Sequence, residues 1–556
     1  MLKHLKSYFF YNIDSILYLS IFNYVLFCIH KHYDFFHSLK KYNDFLFIFS
    51  TFTIFYFIIS FFNSKIKKFF SSLIIFFFSL LFLIEAILYY NFNSIISLNF
   101  IQILYETNSK ETIEFLETYL TLSNILFFCF ILIFLLIFYF ILSFLMKKLI
   151  KKEKITDKKF IIILILIIFS FFHDLIKDSF EKNLDKFDCS RIVNLIQENK
   201  KNIEIYNNLS TILKNDDTII LENNSSIKNF VFILGESISR NHMSLYNYQH
   251  KTTPLLDTLK EEGNLFVFND VISPHAQTIP SIKKIFSFLS YENENKKSWY
   301  EYKNLINIMN KAEYKTFWYS NQESYGKYGN IPAAIASLTN YSFFNTTKEA
   351  LDNDLYDTFL NTFDKIKGEK NFIIFHLMGA HASYNNRYPD NFNFFNKNNY
   401  NFKFKSKYND RVIEYDNAIL YNDFVVSNII SLFKDQESIV LYFPDHAEET
   451  LDFREFIGHG DSKYSKYSKY MLEIPFLIFI SDKLKNSNPN LIENIKNSVN
   501  NPYMTDDVIH TILDILNINT PDFDKTRSII NPNFNKNRKR ILIDGKDYDA
   551  DLKNNL

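Results

Sequence analysis

The chain has 556 residues, more than one ordinary hydrophobic core accommodates, so its length predicts at least two domains. Lys and Arg together number 61 and so do Asp and Glu, and this balance argues against nucleic acid as a partner. The three cysteines, Cys28, Cys129 and Cys189, all lie in the N-terminal half. A metal site in the C-terminal half must therefore use histidine and carboxylate ligands.

Five apolar runs fill the predicted transmembrane domain, residues 1–175, and most of them match the ~20 residues that cross a bilayer core. The fifth run is the shortest and ends in His173 and Asp174, so a buried or interfacial helix is its alternative. Because four runs follow the first and it lacks a small-residue cleavage site, we expect the first to be an anchor and not a signal peptide. We interpret the runs as five spanning helices, at residues 9–29, 44–62, 69–90, 121–146 and 159–175.

Basic residues predict the orientation of these helices. Lysines are concentrated at the N-terminus and in the loops at residues 63–68 and 147–159. On the other side, the loop at residues 31–43 carries three lysines and the loop at residues 91–120 only Lys110. Lysine-rich loops stay in the cytoplasm. An odd number of spans then places residues 176–556 outside the cytoplasm.

Residues 176–226 are rich in Asn, Lys, Asp and Glu, with apolar residues at helical spacing such as Ile192, Leu195 and Ile196. This pattern predicts amphipathic connecting helices. They lie either on the membrane surface or against the domain that follows, and the sequence does not choose between the two.

Residues 227–556 change to short apolar runs separated by helical stretches. Continuous apolar runs of this length predict a largely parallel sheet that is covered on both faces, which defines an α/β domain. Ligands bind such sheets at the carboxyl ends of the strands. The predicted strands are Phe230–Leu234, Thr316–Tyr319, Phe372–Leu377, Ile439–Phe443 and Pro475–Ile480.

Three of these runs end in polar residues of ligand type, namely Glu236, the segment His376–His381, and Asp445 with His446. Each has an ordinary alternative. Glu236 could instead be an acidic residue at a helix N-terminus. Asp445 and His446 could instead be a capping pair at the end of a strand. An Asp next to a His also offers one oxygen and one nitrogen ligand at the same point.

Glycine is scarce, with nine in the whole chain. Four of them lie close to candidate site residues, which indicates places where the backbone must approach a ligand. One pair of glycines flanks His459, where an exposed histidine on a turn is the ordinary interpretation. The four are Gly235, Gly379, Gly458 and Gly460.

Thr278 precedes a stretch of helical periodicity that contains Ile282, Ile285, Phe286 and Leu289. It is a good candidate for the N-cap of that helix. The same position suits a nucleophile, because backbone N–H groups at a helix N-terminus stabilise an oxyanion or a phosphate. A threonine hydroxyl needs a metal ion to ionise near neutral pH.

Four segments stand in a fixed order along the chain: Glu236–Tyr248 with Thr252–Pro254, His376–His381 with Arg387–Pro389, Asn417–Asp423, and Phe443–Glu449. Together they resemble the signatures of the membrane-bound phosphoethanolamine transferases, in the alkaline phosphatase and sulfatase superfamily. The resemblance extends over nearly the whole chain, although the spans match only in number and character. It implies an N-terminal bundle of five transmembrane helices and, at residues 227–556, an α/β sulfatase-like periplasmic domain with a mostly parallel central sheet.

The resemblance also implies a ligand set. Thr278 would be the nucleophile, and Glu236, Asp445 and His446 would bind Zn²⁺, with Mn²⁺ as the alternative ion. The threonine oxygen would complete the site, which agrees with the three protein ligands and one reactive position of a catalytic zinc site.

On the substrate side the resemblance implies His381 and His459, which would hold phosphate oxygens, hold a second zinc ion, or transfer protons. Lys327 is similar in position to a lysine near the family's substrate site, and His376 is a further candidate there. The chain departs from the family at Asn247, where relatives often have Gly, and it lacks the cysteines that form several disulfides in many relatives.

The activity implied is transfer of phosphoethanolamine from phosphatidylethanolamine to a cell-envelope acceptor, through a phosphothreonine-type intermediate. Lipid A or a core sugar of lipopolysaccharide is the expected acceptor. The protein would be a multi-pass enzyme of the bacterial inner membrane, in contact with membrane lipids, with its catalytic domain in the periplasm.

Three alternatives stay open. A lipoteichoic-acid-type glycerol-phosphate transferase resembles this chain in its five spans, its threonine and its metal. A sulfatase is disfavoured because Thr278 replaces the Cys or Ser that becomes formylglycine. A non-catalytic membrane sensor would require the loss of ligands, and all four are present.

Overall fold

The structure is a computed structural model in which the chain divides into two compact units. The first contains Met1–Leu104 and Leu116–Asn202, and the second contains Ile203–Leu556. The structure describes residues 1–31, 41–92, 95–97, 100, 101, 104, 112, 116, 120–152, 155–177, 184, 186–214, 217–322, 331–347, 350–402, 408–460 and 468–553.

Long apolar helices dominate the first unit. They are α1 (Leu2–His30), α2 (Tyr42–Ile59), α3 (Ser64–Phe92), α4 (Leu122–Lys152) and α5 (Asp157–Lys177). Within the described residues, α1 to α4 are the four helices long and apolar enough to cross a membrane. The fifth predicted run is helical as α5, and a total of five spans stays a prediction.

Two helices occupy the predicted connecting segment, α6 (Asp188–Asn207) and α7 (Leu209–Lys214). The side chains of Leu209 and Leu213 are buried in the hydrophobic core of the second unit. Of the two placements that the sequence left open, α7 therefore adopts the one against the following domain.

A seven-stranded sheet forms the centre of the second unit, in the order β3-β11-β8-β2-β7-β5-β6. Its strands are β2 (Asn229–Gly235), β3 (Leu265–Val267), β5 (Lys315–Ser320), β6 (Tyr341–Phe344), β7 (Asn371–His376), β8 (Ser438–Pro444) and β11 (Leu477–Ile480). Every adjacent pair from β8 to β6 is parallel, and β11 pairs antiparallel with both neighbours. The predicted α/β domain with a mostly parallel sheet is confirmed.

Helices cover both faces of this sheet. In β2, Phe230 and Phe232 belong to the core on one face, and Val231 and Ile233 belong to the core on the other. Because neither face meets water, the strand is a continuous apolar run. The remaining helices are α8 (Pro254–Glu261), α9 (Thr278–Ile285), α10 (Leu305–Lys311), α11 (Ile331–Ala336), α12 (Asp354–Ile366), α13 (Asn409–Ser431), α14 (Asp482–Ser487), α15 (Pro489–Ser498) and α16 (Val508–Ile515).

Six strands of two residues each lie outside the central sheet: β1 (Glu222–Asn223), β4 (Val271–Ile272), β9 (Glu449–Thr450), β10 (Ile457–Gly458), β12 (Tyr503–Met504) and β13 (Ile518–Asn519). Strands β12 and β4 pair in parallel, so residues from near the C-terminal end of the chain lie beside the segment that leads to α9. Arg540 Nη1 also donates to Asp270 Oδ1 at 2.8 Å, and Lys553 Nζ donates to Asp270 Oδ2 at 2.6 Å.

Asn247 keeps the turn that relatives often build with glycine. Its φ is 72°, in the left-handed region that asparagine tolerates better than most residues. The departure from the family pattern at this position therefore leaves the backbone of the first signature intact.

Candidate active site

The register of the parallel strands brings the candidate ligands together at one edge of the sheet. Gly235, at the end of β2, lies opposite Pro444, at the end of β8. The next residues are Glu236 on one strand and Asp445 with His446 on the other. Side chains that are 209 positions apart in sequence become neighbours because both strands end at the same level of the sheet.

These three side chains form a buried cluster of metal-ligand type. One ligand atom from each of Glu236, Asp445 and His446 lies within 4.8 Å of the others. His446 Nε2 is 3.1 Å from Glu236 Oε1 and 3.5 Å from Asp445 Oδ2, and all three side chains are at most 2% exposed. The predicted ligands therefore meet at one point.

Two buried carboxylates beside a single imidazole carry an excess of negative charge. Burial and the neighbouring Glu236 raise the pKa of Asp445 well above its ordinary value. Burial opposes ionisation of Glu236 too, but His446 outweighs it, so the pKa of Glu236 lies well below its ordinary value. Burial lowers the pKa of His446, but the two carboxylates outweigh burial and raise the pKa to about 10.

The residues present fit a zinc ion. Asp445 Oδ2 is buried and accepts no hydrogen bond, which leaves a carboxylate oxygen free for a cation. Two carboxylates and an imidazole are a donor set that zinc binds, and a divalent cation would neutralise their charge. Glu236, Asp445 and His446 are thus the residues that would hold the metal.

Thr278 is the first residue of α9, and its hydroxyl points to the cluster. Its Oγ1 donates to Glu236 Oε2 at 3.1 Å and lies 3.4 Å from His446 Nε2. The N-cap position of α9 belongs to Gln277, and no side chain makes a capping hydrogen bond there. The capping interpretation of Thr278 is therefore wrong, and its hydroxyl belongs to the site.

His459 and His381 flank the cluster. The rings of His459 and His446 have centroids 4.2 Å apart. His381 Nδ1 is buried without a hydrogen-bond partner, and burial lowers the pKa of His381 to about 4. Both histidines are close enough to contribute to the lowered pKa of Glu236, after burial and His446.

Glu448 is a site residue whose role the sequence did not indicate. Its Oε2 pairs with His459 Nδ1, and its Oε1 accepts a hydrogen bond from the hydroxyl of Tyr384 at 2.5 Å. His459 therefore has a fixed carboxylate partner and is not an unspecialised residue on a turn. Glu448 lies inside the third signature segment, which is the only sequence signal for it.

Gln322 is a second residue that sequence reasoning missed. Its Nε2 donates to Leu377 O at 2.9 Å and to Glu236 Oε2 at 3.4 Å, so it supports the carboxylate that Thr278 also contacts. A single glutamine after a strand carries no recognisable signal.

His376 and Lys327 were the two further candidates for the substrate side of the site. His376 is 1% exposed, and its Nδ1 lies 3.0 Å from Ser320 Oγ. Its ring packs against Trp318, with centroids 5.5 Å apart, which places it in the core behind the site. Lys327 lies outside the described residues.

Comparisons with known proteins agree with this fold. Residues 228–518, more than half of the chain, match the sulfatase family model. Phosphoethanolamine transferase EptC of Escherichia coli strain K12 is 32% identical over an alignment of 344 residues, and the match covers 58% of this chain and 58% of that protein. The chain thus matches less than two thirds of that relative's length.

Two solved structures are similar as well. The C-terminal periplasmic domain of EptC from Escherichia coli, in complex with Zn, has a TM-score of 0.54 and 29% identity, covering 61% of this chain and 96% of that domain. The integral membrane protein lipooligosaccharide phosphoethanolamine transferase A from Neisseria meningitidis has a TM-score of 0.63 at 18% identity, covering 94% of this chain and 97% of that one, and this likeness shows the fold alone. The resemblance found in the sequence is confirmed, and the chain belongs to the sulfatase family.

Proposed function

We propose that the protein is a metal-dependent phosphoethanolamine transferase that uses Thr278 as its nucleophile. The observation that carries the proposal is the hydroxyl of Thr278 within hydrogen-bond distance of two side chains of a buried ligand cluster, Glu236 and His446. A hydroxyl in this position suits group transfer through a covalent intermediate, because the same oxygen attacks first and leaves later.

Zinc is the proposed cofactor. When bound, it would supply Lewis-acid stabilisation of the threonine oxygen and of the charge on the transferred phosphoryl group. Glu236, Asp445 and His446 would hold it, and the Zn complex of the similar Escherichia coli domain supports the choice of ion.

In the first step, Thr278 Oγ1 attacks the phosphorus of the donor, phosphatidylethanolamine. The Oγ1–P bond forms, and the bond from phosphorus to the glycerol oxygen of diacylglycerol breaks. One imidazole of the pair His381 and His459 takes the proton that Thr278 loses, and the other gives a proton to the leaving glycerol oxygen.

In the second step, an oxygen of the acceptor attacks the same phosphorus. The bond from phosphorus to Thr278 Oγ1 breaks, the acceptor oxygen loses its proton, and Thr278 regains one. The N-terminus of α9, where Thr278 lies, presents backbone N–H groups that stabilise the phosphoryl oxygens in both steps. The expected acceptor is lipid A or a core sugar of lipopolysaccharide, on the periplasmic side of the inner membrane.

The intermediate gives a direct test. Full-length protein incubated with phosphatidylethanolamine alone should gain the mass of one phosphoethanolamine group on the peptide that contains Thr278, as read by mass spectrometry. Thr278→Ala should lack the adduct and lose more than about 10³-fold in transfer rate, since it has no oxygen to attack with. Thr278→Ser keeps a hydroxyl and should retain part of the activity.

Ser281→Ala is the matched control, because Ser281 is a buried hydroxyl residue of the same helix whose Oγ contacts Ser273 and not the cluster. It should form the adduct normally. An adduct on Ser281 or Ser237 would contradict the assignment of the nucleophile. A glycerol-phosphate adduct, formed from an anionic glycerophospholipid instead, would replace the proposed activity by that of the glycerol-phosphate transferases.

A further inference from the structure

The segment Leu377–Ala382, which carries His381, has no helix or strand of its own. It follows β7 directly and passes beside Glu236. A segment without ladder hydrogen bonds needs other partners to keep one conformation. Two buried charged side chains supply them from opposite ends.

Asp352 holds the first half of the segment. It lies in the turn before α12 and is 6% exposed. Its Oδ1 accepts from Met378 N and its Oδ2 accepts from Gly379 N, both at 2.8 Å. Asn321 Nδ2 donates to the same Oδ1 at 2.8 Å and fixes the carboxylate in turn.

Arg387 holds the second half. Its guanidinium is buried, with the residue 6% exposed. Nε donates to His381 O at 3.0 Å, and Nη2 donates to Ala382 O at 2.7 Å. A planar guanidinium can reach two successive carbonyls in this way, whereas an ammonium group cannot do so with the same geometry.

The middle of the segment is pressed against the site. Ala380 N donates to Glu236 O at 3.0 Å. Gly379 has a φ of +54°, and a Cβ there would lie 2.3 Å from Glu236 O. The segment therefore has no room to shift toward Glu236.

We propose that Asp352 and Arg387 are positioning residues that clamp the segment Leu377–Ala382 and so fix His381 at the active site. The hydrogen bonds that join both residues to the segment go to its backbone, so both act on His381 through that backbone. The catalytic part of this proposal rests on the proposed function, and the clamp itself does not.

A purely structural carboxylate offers the comparison. Asp423 is 1% exposed and accepts from Leu255 N and Leu256 N, both at 2.9 Å, at the start of α8. It makes the same kind of bidentate contact with two successive backbone N–H groups, but it serves a helix that carries no candidate site residue. Asp423→Asn is thus the matched control for Asp352→Asn.

The test uses full-length protein in detergent and measures two quantities on the same samples. Hydrogen–deuterium exchange of the peptide that covers residues 377–382 reports the clamp, and the rate of phosphoethanolamine transfer reports the catalytic consequence. Asp352→Asn should speed exchange in that peptide and lower the transfer rate about 10- to 100-fold, the usual effect of removing a group that orients a site residue. Asp423→Asn should do neither. Arg387→Lys, which keeps the charge and the aliphatic stem, should act like Asp352→Asn and serves if that variant does not fold.

A double variant separates positioning from general damage. In a His381→Ala background, Asp352→Asn should change the transfer rate less than about threefold, because a residue that acts through His381 has nothing left to position. Unchanged exchange at residues 377–382 in both Asp352→Asn and Arg387→Lys would overturn the clamp. Full multiplicative loss in the double variant would overturn its role toward His381. A wild type that transfers nothing would refute the proposed function, and the exchange rates would still decide the clamp.

Discussion

The carboxylate of Glu448 connects two parts of the site, His459 on one side and Tyr384 on the other. Burial raises the pKa of Glu448, but His459 lowers it by more, so the pKa lies below its ordinary value and Glu448 is an anionic partner for His459. An anionic partner at Nδ1 fixes the orientation of the imidazole and leaves Nε2 to meet the substrate.

We predict that Glu448→Gln lowers the transfer rate about 10- to 100-fold, because the amide has nearly the same shape but lacks the charge that orients His459. The measurement is the steady-state transfer rate together with the zinc content of the purified protein. Glu449→Gln is the control: Glu449 is equally buried but pairs with Arg454 and Ser468. Equal losses in the two variants would contradict a specific role for Glu448.

Single residues were predictable from the sequence only where a strand or a motif marked them. Glu236, Asp445 and His446 follow apolar runs that end together, so their meeting was predicted and is observed. The sequence placed Thr278 at a helix start but did not distinguish an N-cap from a hydroxyl that contacts Glu236, since both need a hydroxyl at a helix N-terminus. No sequence pattern indicated a role for Asp352, because a single Asp before a helix is common on any protein surface.

At the scale of elements, His242 ties three pieces of the second unit together. Its Nδ1 lies 2.6 Å from Asp416 Oδ1 on α13, and its Nε2 lies 3.1 Å from Asp452 Oδ1 and 2.7 Å from Thr450 Oγ1, near β9. Burial lowers the pKa of His242, but the two carboxylates raise it by more than burial lowers it, and the net result is a pKa of about 10. The hydroxyls of Tyr248 and Tyr400 also donate to Asp416, so hydrogen bonds satisfy this buried carboxylate without a second cation.

A folded-state pKa above the unfolded value of about 6.5 means that His242 stabilises the protein fully below that pH and loses this contribution as the pH rises toward 10. We predict that His242→Gln costs roughly 3–5 kcal/mol of unfolding free energy near pH 6, as removal of one partner of a buried ion pair does. The difference from wild type should shrink steadily between pH 6.5 and about 10 in chemical unfolding of the full-length protein.

His510 provides the control for this pH dependence. It is also buried, but burial lowers its pKa to about 3, so it is neutral in the folded protein at every pH above 6.5. In the unfolded chain its pKa is about 6.5, so it is neutral in both states only above roughly pH 7.5. The stability difference between His510→Gln and wild type should therefore be flat from roughly pH 7.5 to 10, where the difference for His242→Gln still changes. A flat profile for His242→Gln as well would show that His242 is not charged in the folded protein.

The elements that the sequence predicted are those with one unbroken apolar run. The ends of β2, β5, β7, β8 and β11 were predicted to within two residues of the observed ones. Both faces of the sheet are covered, so nearly every position inside these strands is apolar. β3 and β6, at the two edges of the sheet, were missed. β3 has only three residues, and β6 contains Ser342 and is only partly buried, so neither forms an apolar run long enough to be separated from a loop.

For the whole molecule, the lysine pattern predicts that the N-terminus and the loop at residues 147–159 face the cytoplasm and that the second unit does not. A reporter enzyme that works only outside the cytoplasm, fused after residue 226, should be active in cells. The same reporter fused after residue 154 should be inactive. Silence of both fusions would indicate an even number of spans, with α5 on the membrane surface.

The contacts of Asp270 have a consequence for biosynthesis. Its two cationic partners, Arg540 and Lys553, follow it by 270 and 283 positions. At a synthesis rate of about 5–20 residues per second, the segment that leads to Thr278 waits roughly 15–55 seconds for these partners after it leaves the ribosome. Long-range closure of this kind is slow and exposes apolar surface in the interval. Thr278 is thus synthesised early, but the segment that leads to it gains the Arg540 and Lys553 contacts only after residue 553 has been synthesised, so the synthesis of that late stretch sets the earliest time at which the fold around Thr278 is complete.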